Sequence, residues 1–265
     1  MTACRGRAEG KTRAAALGRA PNNLMMSSHS LHLYGEAILD YFNGNFQTPL
    51  IVVDELGRRK EVPVNLFFRE FGEFPEMEKK AVELCSGKVL DIAAAAGRHS
   101  LALQQRGLIV CAVDIIPRCV QVMKMRGVHE AYCTDILEFQ GGPFDTLLGV
   151  MNGLTIVERL ERLPAFLKHI RRLIGPDGQY LVDSADLRCS VDSQMEGLLK
   201  TKTDAGDYFG ELTAHIEYRN KKGTLLRELF VDPETLHDHA FEAGWKCDIV
   251  MQQNNGRYLA QLAPL

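Results

Sequence analysis

The sequence predicts an open α/β fold: a doubly wound, mostly parallel seven-stranded sheet with helices on both faces. Three observations carry this expectation. From Lys88 onward, short apolar strands alternate with helical stretches, the pattern of a parallel sheet joined by right-handed crossovers. Three successive strands run into an acid, at Asp91, Asp114 and Asp135. Apolar residues make up 46% of 265 residues, enough to bury the core of one large domain.

The elements follow in order. Leu33, Ala37, Ile38 and Tyr41 fall at helical spacing. The apolar segments 50–53 and 61–64 flank Asp54-Glu55-Leu56-Gly57-Arg58 and read as a β-hairpin. After Phe67-Phe68-Arg69, Pro75 opens a helix that runs to about Cys85. Strand 89–92 leads through small residues into a helix over 98–106, which Gly107 ends. Strand 108–113 closes on Asp114, and Pro117 starts a helix that Gly127 ends. Strands at 131–133 and 144–150 follow. Leu160, Leu163, Phe166, Leu167, Ile170 and Leu173 form one helical face, restarted at Pro164. Gly175-Pro176-Asp177-Gly178 predicts a turn before a fifth strand at 179–182. The segments 214–218 and 225–230 form a hairpin around Asn220-Lys221-Lys222-Gly223. Asp232 caps a helix over 233–243, and strands at 248–251 and 258–262 close the chain.

The expected organisation is a tail at 1–26, a cap of helix, hairpin and helix at 27–86, and a main domain at 87–265 carrying a hairpin insertion at about 211–230. Segments 31–75 and 211–230 are expected to cover a cleft. Their Tyr41, Phe67, Phe68, Tyr208, Phe209 and Tyr218 are candidates to line an apolar pocket, and equally to be core. The first 24 residues are basic and Ala-rich, with Arg5, Arg7, Lys11, Arg13 and Arg19 against Glu9. Such a composition suits a transit peptide. Without an amphipathic stripe it reads better as a disordered tail, or as sequence upstream of a start at Met25 or Met26.

Composition narrows the function. A net charge of −3 and the lack of an eighteen-residue apolar run argue against a nucleic-acid surface and a membrane span. The seven cysteines form no Cys-x-x-Cys pair, which suits a reduced, cytoplasmic protein. His237 and His239 lie two apart on a helix and so face different ways, which favours a solvated face over a metal site. His99, in a helix first turn, reads as structural.

In an open α/β sheet, ligands bind beyond the carboxyl ends of the strands, so Asp91, Asp114 and Asp135 converge on one crevice. Asp114 lies 17 residues after Gly97, a spacing that suits a carboxylate taking two ribose hydroxyls. A dinucleotide loop needs small residues at its first, third and sixth positions. Counting from Ala93, the sixth is Arg98, too bulky for close helix packing. Small residues at 93, 95 and 97, preceded by Asp91, form a different register.

That segment, Asp91-Ile92-Ala93-Ala94-Ala95-Ala96-Gly97, resembles motif I of class I S-adenosylmethionine (SAM)-dependent methyltransferases, Asp/Glu-x-Gly-x-Gly-x-Gly. Asp114 and Thr134-Asp135-Ile136 resemble the family's ribose and adenine segments. Phe144-Asp145-Thr146-Leu147-Leu148 with Met151-Asn152-Gly153 resembles the fourth strand and its loop. The resemblance runs from about Lys88 to Asp186 and continues weakly beyond. The N-terminal hairpin and Phe-Phe-Arg segment resemble an extension in a bacterial small-molecule methyltransferase-like group.

The resemblance implies a Rossmann-like fold, SAM as cofactor and a small-molecule acceptor. Asp91 would orient the methionine ammonium, and the backbone at Ala93, Ala95 and Gly97 would run against methionine and ribose. Asp114 would take the ribose hydroxyls, beside Ile115. Asp135 and Ile136 would meet adenine, and Met151 or Asn152 would face the sulfonium. Arg98 and Arg69 join the set, Arg69 as a partner for a carboxylate. No general base is signalled. Asn152, Asp183 and Asp186 are the candidates, with Ser184 beside them.

Two motif glycines are alanine here. In a left-handed conformation each would cost roughly 1–2 kcal/mol; with ordinary φ the added methyls would cost little. Two readings therefore stand beside methyl transfer: a non-catalytic protein that keeps the fold as a binding module, and an NAD(P)-dependent oxidoreductase, against which Arg98 speaks.

Overall fold

The computed structural model describes residues 29–189 and 192–265; the basic tail lies outside them. The main sheet is built from β3 (Lys88–Ile92), β4 (Ile109–Asp114), β5 (Glu130–Cys133), β6 (Phe144–Gly149), β7 (Ile174–Ala185), β11 (Trp245–Gln252) and β12 (Arg257–Pro264). Their order is β11-β12-β7-β6-β3-β4-β5. The five strands from β7 to β5 are parallel, and β12 runs antiparallel to both its neighbours. The winding reverses between β3 and β6, which places the ligand crevice at the carboxyl end of β3.

Alternation along β3 explains why the sheet is buried on both faces. Leu90 and Ile92 pack with Leu147, Val113 and Leu167 of α5 (Leu163–Ile170). Val89 packs on the other face with Leu148, Leu181 and Ala81 of α2 (Glu76–Leu84). Trp245 is fully buried, and its indole N–H donates to the Leu167 carbonyl at 3.1 Å.

Helices α3 (Arg98–Gln105) and α4 (Pro117–Met125) follow β3 and β4, and α1 (His29–Phe42) packs on α4. Two further helices are α6 (Ser193–Asp204) and α7 (Pro233–Glu242). The sequence reading missed α6, whose apolar pattern is weak: Leu199 is its one buried residue. Its start is nonetheless written locally, since the Asp192 side chain accepts from the Gln194 and Met195 amides.

A second sheet was not foreseen. β1 (Leu50–Asp54) and β2 (Arg59–Val62) form the expected hairpin, and β8 (Glu211–Tyr218), β9 (Lys221–Lys222) and β10 (Leu226–Leu229) form the later one. Beyond expectation, β1 pairs with β8, and the two hairpins become one sheet of order β10-β8-β1-β2. Two smaller corrections concern the fifth strand and the helix before it. The 175–178 turn is part of β7, where Phe144 pairs with Ile174 and Thr146 with Gln179; the extra residues bulge out of the ladder. Leu160–Arg162 forms a separate 3-10 turn, and the helix starts at Leu163 with Pro164 in its first turn.

Candidate active site

A cavity of about 450 Å³ lies between the carboxyl ends of the main strands and the second sheet. Its floor holds the strand-end acids. Asp91 is 2% exposed and accepts the Ser100 hydroxyl at 2.5 Å. Burial raises its pKa. Asp114 accepts the backbone N–H groups of Ala95 and Ile116, each at 2.8 Å. Burial pushes its carboxyl up to about 6, against those two hydrogen bonds. Asp135 accepts the Leu137 amide at 2.9 Å, an Asx turn that leaves its carboxylate at the wall.

The loop after β3 takes the path that glycines would favour. Ala93 and Ala95 have φ of 56° and 50°, and Gly97 has φ of 75°. Both alanines line the cavity. Gly97 does not; it supports the loop from behind, where a Cβ would sit 2.8 Å from Val128 and 2.9 Å from Met123. Its φ and that close approach each demand glycine. Met151, Asn152 and Glu158 also line the cavity with positive φ. Among the described residues, the other non-glycine positions with positive φ are Arg219 and Asn220, in the hairpin turn. Backbone strain thus gathers at this cavity, as it does at ligand sites.

Arg98 lines the cavity and is buried at the start of α3. It donates to Glu78, and to the Leu66 carbonyl at 2.7 Å. His99 lies 2.8 Å from Glu78; the Arg98 guanidinium sits over the Phe74 ring, which meets His99 edge-on. Burial pushes the Glu78 carboxyl up, but His99 and Arg98 outweigh it and hold it below the usual range. The Arg98 Nε is buried without a partner among the described residues.

Other expected positions fall as follows. Ile115 and Ile136 line the cavity. Arg69 does not; it lies between two 3-10 turns, and Arg98 is the buried guanidinium in the wall. Asp183 is 1% exposed behind the loop after β6, accepting the Gly153 amide at 3.0 Å and the Arg257 guanidinium at 2.9 Å. Ser184 donates no hydrogen bond into the cavity; its hydroxyl accepts the Val231 amide. Asp186 pairs with Arg188. Neither Asp183 nor Asp186 lines the cavity, whereas Asn152 does. Of the aromatic candidates, Phe67 lines it; Tyr41 stacks on Phe46 and Phe68, Tyr208 bonds Asp232, and Tyr218 bonds Asp40. His237 is exposed beside Asp238, and no group of three metal-binding side chains occurs among the described residues.

Sequence reasoning missed Tyr34, which meets Phe67 edge-on at 5.1 Å in the cavity wall. It also missed the inward faces of both hairpins. Their strand periodicity was legible, but which face met the cavity depended on the β1–β8 pairing.

Comparison with known proteins identifies the family. The family described as "Methyltransferase domain" matches residues 90–182. The crystal structure of a SAM-dependent methyltransferase from Bacteroides fragilis, in complex with S-adenosyl-L-homocysteine (SAH), superposes with a TM-score of 0.78 at 32% identity, covering 89% of this chain and 96% of that one. The chain belongs to the SAM-dependent methyltransferases. SAM is its cofactor, and the Rossmann-like class I fold is the family's. The methyltransferase from Streptomyces caelestis, at 13% identity and a TM-score of 0.55, covers 73% of this chain and 94% of its own, and shares the fold. A Xylella fastidiosa protein named ubiquinone biosynthesis O-methyltransferase is 28% identical over 116 residues. That match spans 40% of this methyltransferase and 44% of the relative, less than half of the curated protein's length. No helix among the described residues is long and apolar enough to cross a membrane.

Proposed function

We propose that this methyltransferase transfers the methyl of SAM to an O, N or C nucleophile of a small molecule. The observation that carries this is the roofed cavity, in which the strand-end acids face a mostly apolar surface of the second sheet. A roof this near suits a small acceptor better than a polymer strand, and a charge of −3 suits nucleic acid poorly. Relatives named for O-methylation in ubiquinone biosynthesis support the same class.

The residues fit the cofactor. Asp114 supplies a carboxylate for the ribose hydroxyls, and Asp135 a second acceptor for the adenine amino group. Asp91 faces the ammonium end. The unpartnered Nε of Arg98 offers a donor for the cofactor's carboxylate, a better placed one than Arg69. The left-handed loop brings Ala93 and Ala95 to the cavity wall, where the ligand would run against them. Bound SAM supplies an electrophilic methyl group on its sulfonium.

The chain's task is then positioning, which can supply much of the rate of an in-line displacement. Asp183 acts as a positioning residue: it fixes the Met151–Gly153 backbone at the sulfonium end through the Gly153 amide. Incubation with methyl-labelled SAM and a fractionated cell extract tests the proposal. Label should enter the small-molecule fraction; label confined to protein or nucleic acid would contradict it.

A further inference from the structure

Among the residues of the second sheet that line the cavity, the charged ones are Arg227 and Glu228, both on β10. Leu50 and Val52 of β1, Val62 of β2, Ala214 and Ile216 of β8 and Leu226 of β10 all line the cavity. Glu228, two residues beyond Leu226 and therefore on the same face, lines it as well. Cross-strand pairing confirms the placement: Leu226 lies opposite Ala214, and Glu228 opposite Leu212, two residues before Ala214.

Glu228 has no hydrogen bond or ion pair among the described residues, in contrast to the other acids of the site. Asp91 holds Ser100, Asp114 holds two amides, Asp135 holds the Leu137 amide, and Glu158 holds Arg162. Half-buried Glu228 has its pKa raised by burial alone. A carboxylate that the protein itself leaves unpaired on an apolar wall is unfavourable, and a ligand donor would relieve it. β10 packs against the 3-10 turn Thr155–Val157, which follows the Met151–Gly153 loop. Glu228 therefore stands on the Met151–Gly153 side of the cavity, the side proposed for the sulfonium.

We infer that Glu228 determines specificity by accepting a hydrogen bond from a hydroxyl or amine on an otherwise apolar methyl acceptor. This rests on the methyl-transfer reading. The acceptor's apolar body lies against Val52, Ile216 and Leu226, and its donor group meets Glu228. Acceptors whose polar end is a carboxylate are excluded by like charge. Of the guanidiniums at the cavity, Arg98 is held by Glu78 with its Nε left to the cofactor's carboxylate, and Arg227 neighbours Glu228 in sequence without pairing with it.

The test uses one apolar frame with three ends: 2-phenylethylamine, 2-phenylethanol and phenylacetate, titrated into the full chain saturated with SAH and followed by ligand-observed NMR. The amine and alcohol should bind, and phenylacetate should bind at least about tenfold more weakly, a decade being about 1.4 kcal/mol. In Glu228→Gln the preference should collapse while SAH affinity stays, which shows the fold intact. The inference is overturned if phenylacetate binds as well as the other two, if the preference survives in Glu228→Gln, or if neither donor probe binds below about 10 mM, a concentration corresponding to a free energy weaker than about −3 kcal/mol. Absence of SAH binding in the unmodified protein would instead overturn the methyl-transfer reading beneath it.

Discussion

The Asp114 carboxylate accepts the backbone N–H of Ala95 at 2.8 Å, and Ala95 is one of two alanines held at positive φ where the family motif has glycine. The hydrogen bond ties the end of β4 to the loop after β3. It helps hold a left-handed alanine that would otherwise be unfavourable by roughly 1–2 kcal/mol. The path is held by the protein's own carboxylate, so its cost falls on folding and not on cofactor binding.

Ala93→Gly and Ala95→Gly are therefore expected to change SAH affinity by less than about threefold, under about 0.7 kcal/mol. Calorimetric titration of each variant checks this. A gain of about tenfold or more would show that the empty loop leaves the left-handed region and that ligand must force it back.

Asp114 should also set a pH limit. Its carboxyl is pushed up to about 6 by burial, and ribose hydroxyls bind the ionised form. Protonation then competes with the ligand: SAH affinity should fall as pH drops through about 6 and level off above it. Titrations between pH 5 and 8 read this directly. Asp114→Asn should bind SAH more weakly at pH 8 and lose the fall near 6; an unchanged profile in that variant would assign the titration to another group.

Glu78 anchors the start of α3 by holding Arg98 and His99 together in the interior. Glu78→Ala leaves a buried guanidinium uncompensated, and breaking such a pair costs about 3–5 kcal/mol. Urea denaturation should show a loss of that order with an unchanged slope. A loss below about 1 kcal/mol, the range of an exposed pair, would mean that water reaches Arg98.

The loop after β6 has no room for a side chain at Gly153, where a Cβ would lie 1.9 Å from the Gly149 carbonyl oxygen. Gly153→Ala should destabilise the protein by about 1–3 kcal/mol, as overpacking does, and should displace Met151 and Asn152. Asp183→Asn, which keeps its volume, should perturb the same loop more mildly by disturbing the contacts to the Gly153 amide and Arg257. Methyl-transfer rate in that variant should fall more than SAH affinity. Equal falls would show that Asp183 serves cofactor binding generally.

The main sheet was legible because each of its strands is a local apolar run closed by a local signal, such as Asp114 before Pro117 or Gly107 after α3. The strand-end acids were legible for the same reason. What escaped depends on contacts far apart in sequence. Val52 opposite Ile216 joins two hairpins more than 150 residues apart, so the inward face of the roof, and with it Glu228, has no local signature. Tyr208 and Tyr218 looked equally suited to a pocket or a core, and their partners Asp232 and Asp40 settled the matter. Asp183 was visible as an acid after a strand, but its burial behind Gly153 came from the antiparallel pairing of β7 with β12.

Calorimetric titration of the unmodified protein with SAM and SAH is the decisive measurement for cofactor binding in this cavity. One site per chain is expected, with a dissociation constant near micromolar, within the range of about 1 μM to 1 mM common for enzyme substrates, and tighter binding than in Asp114→Asn. No heat up to about 1 mM of either ligand would contradict it.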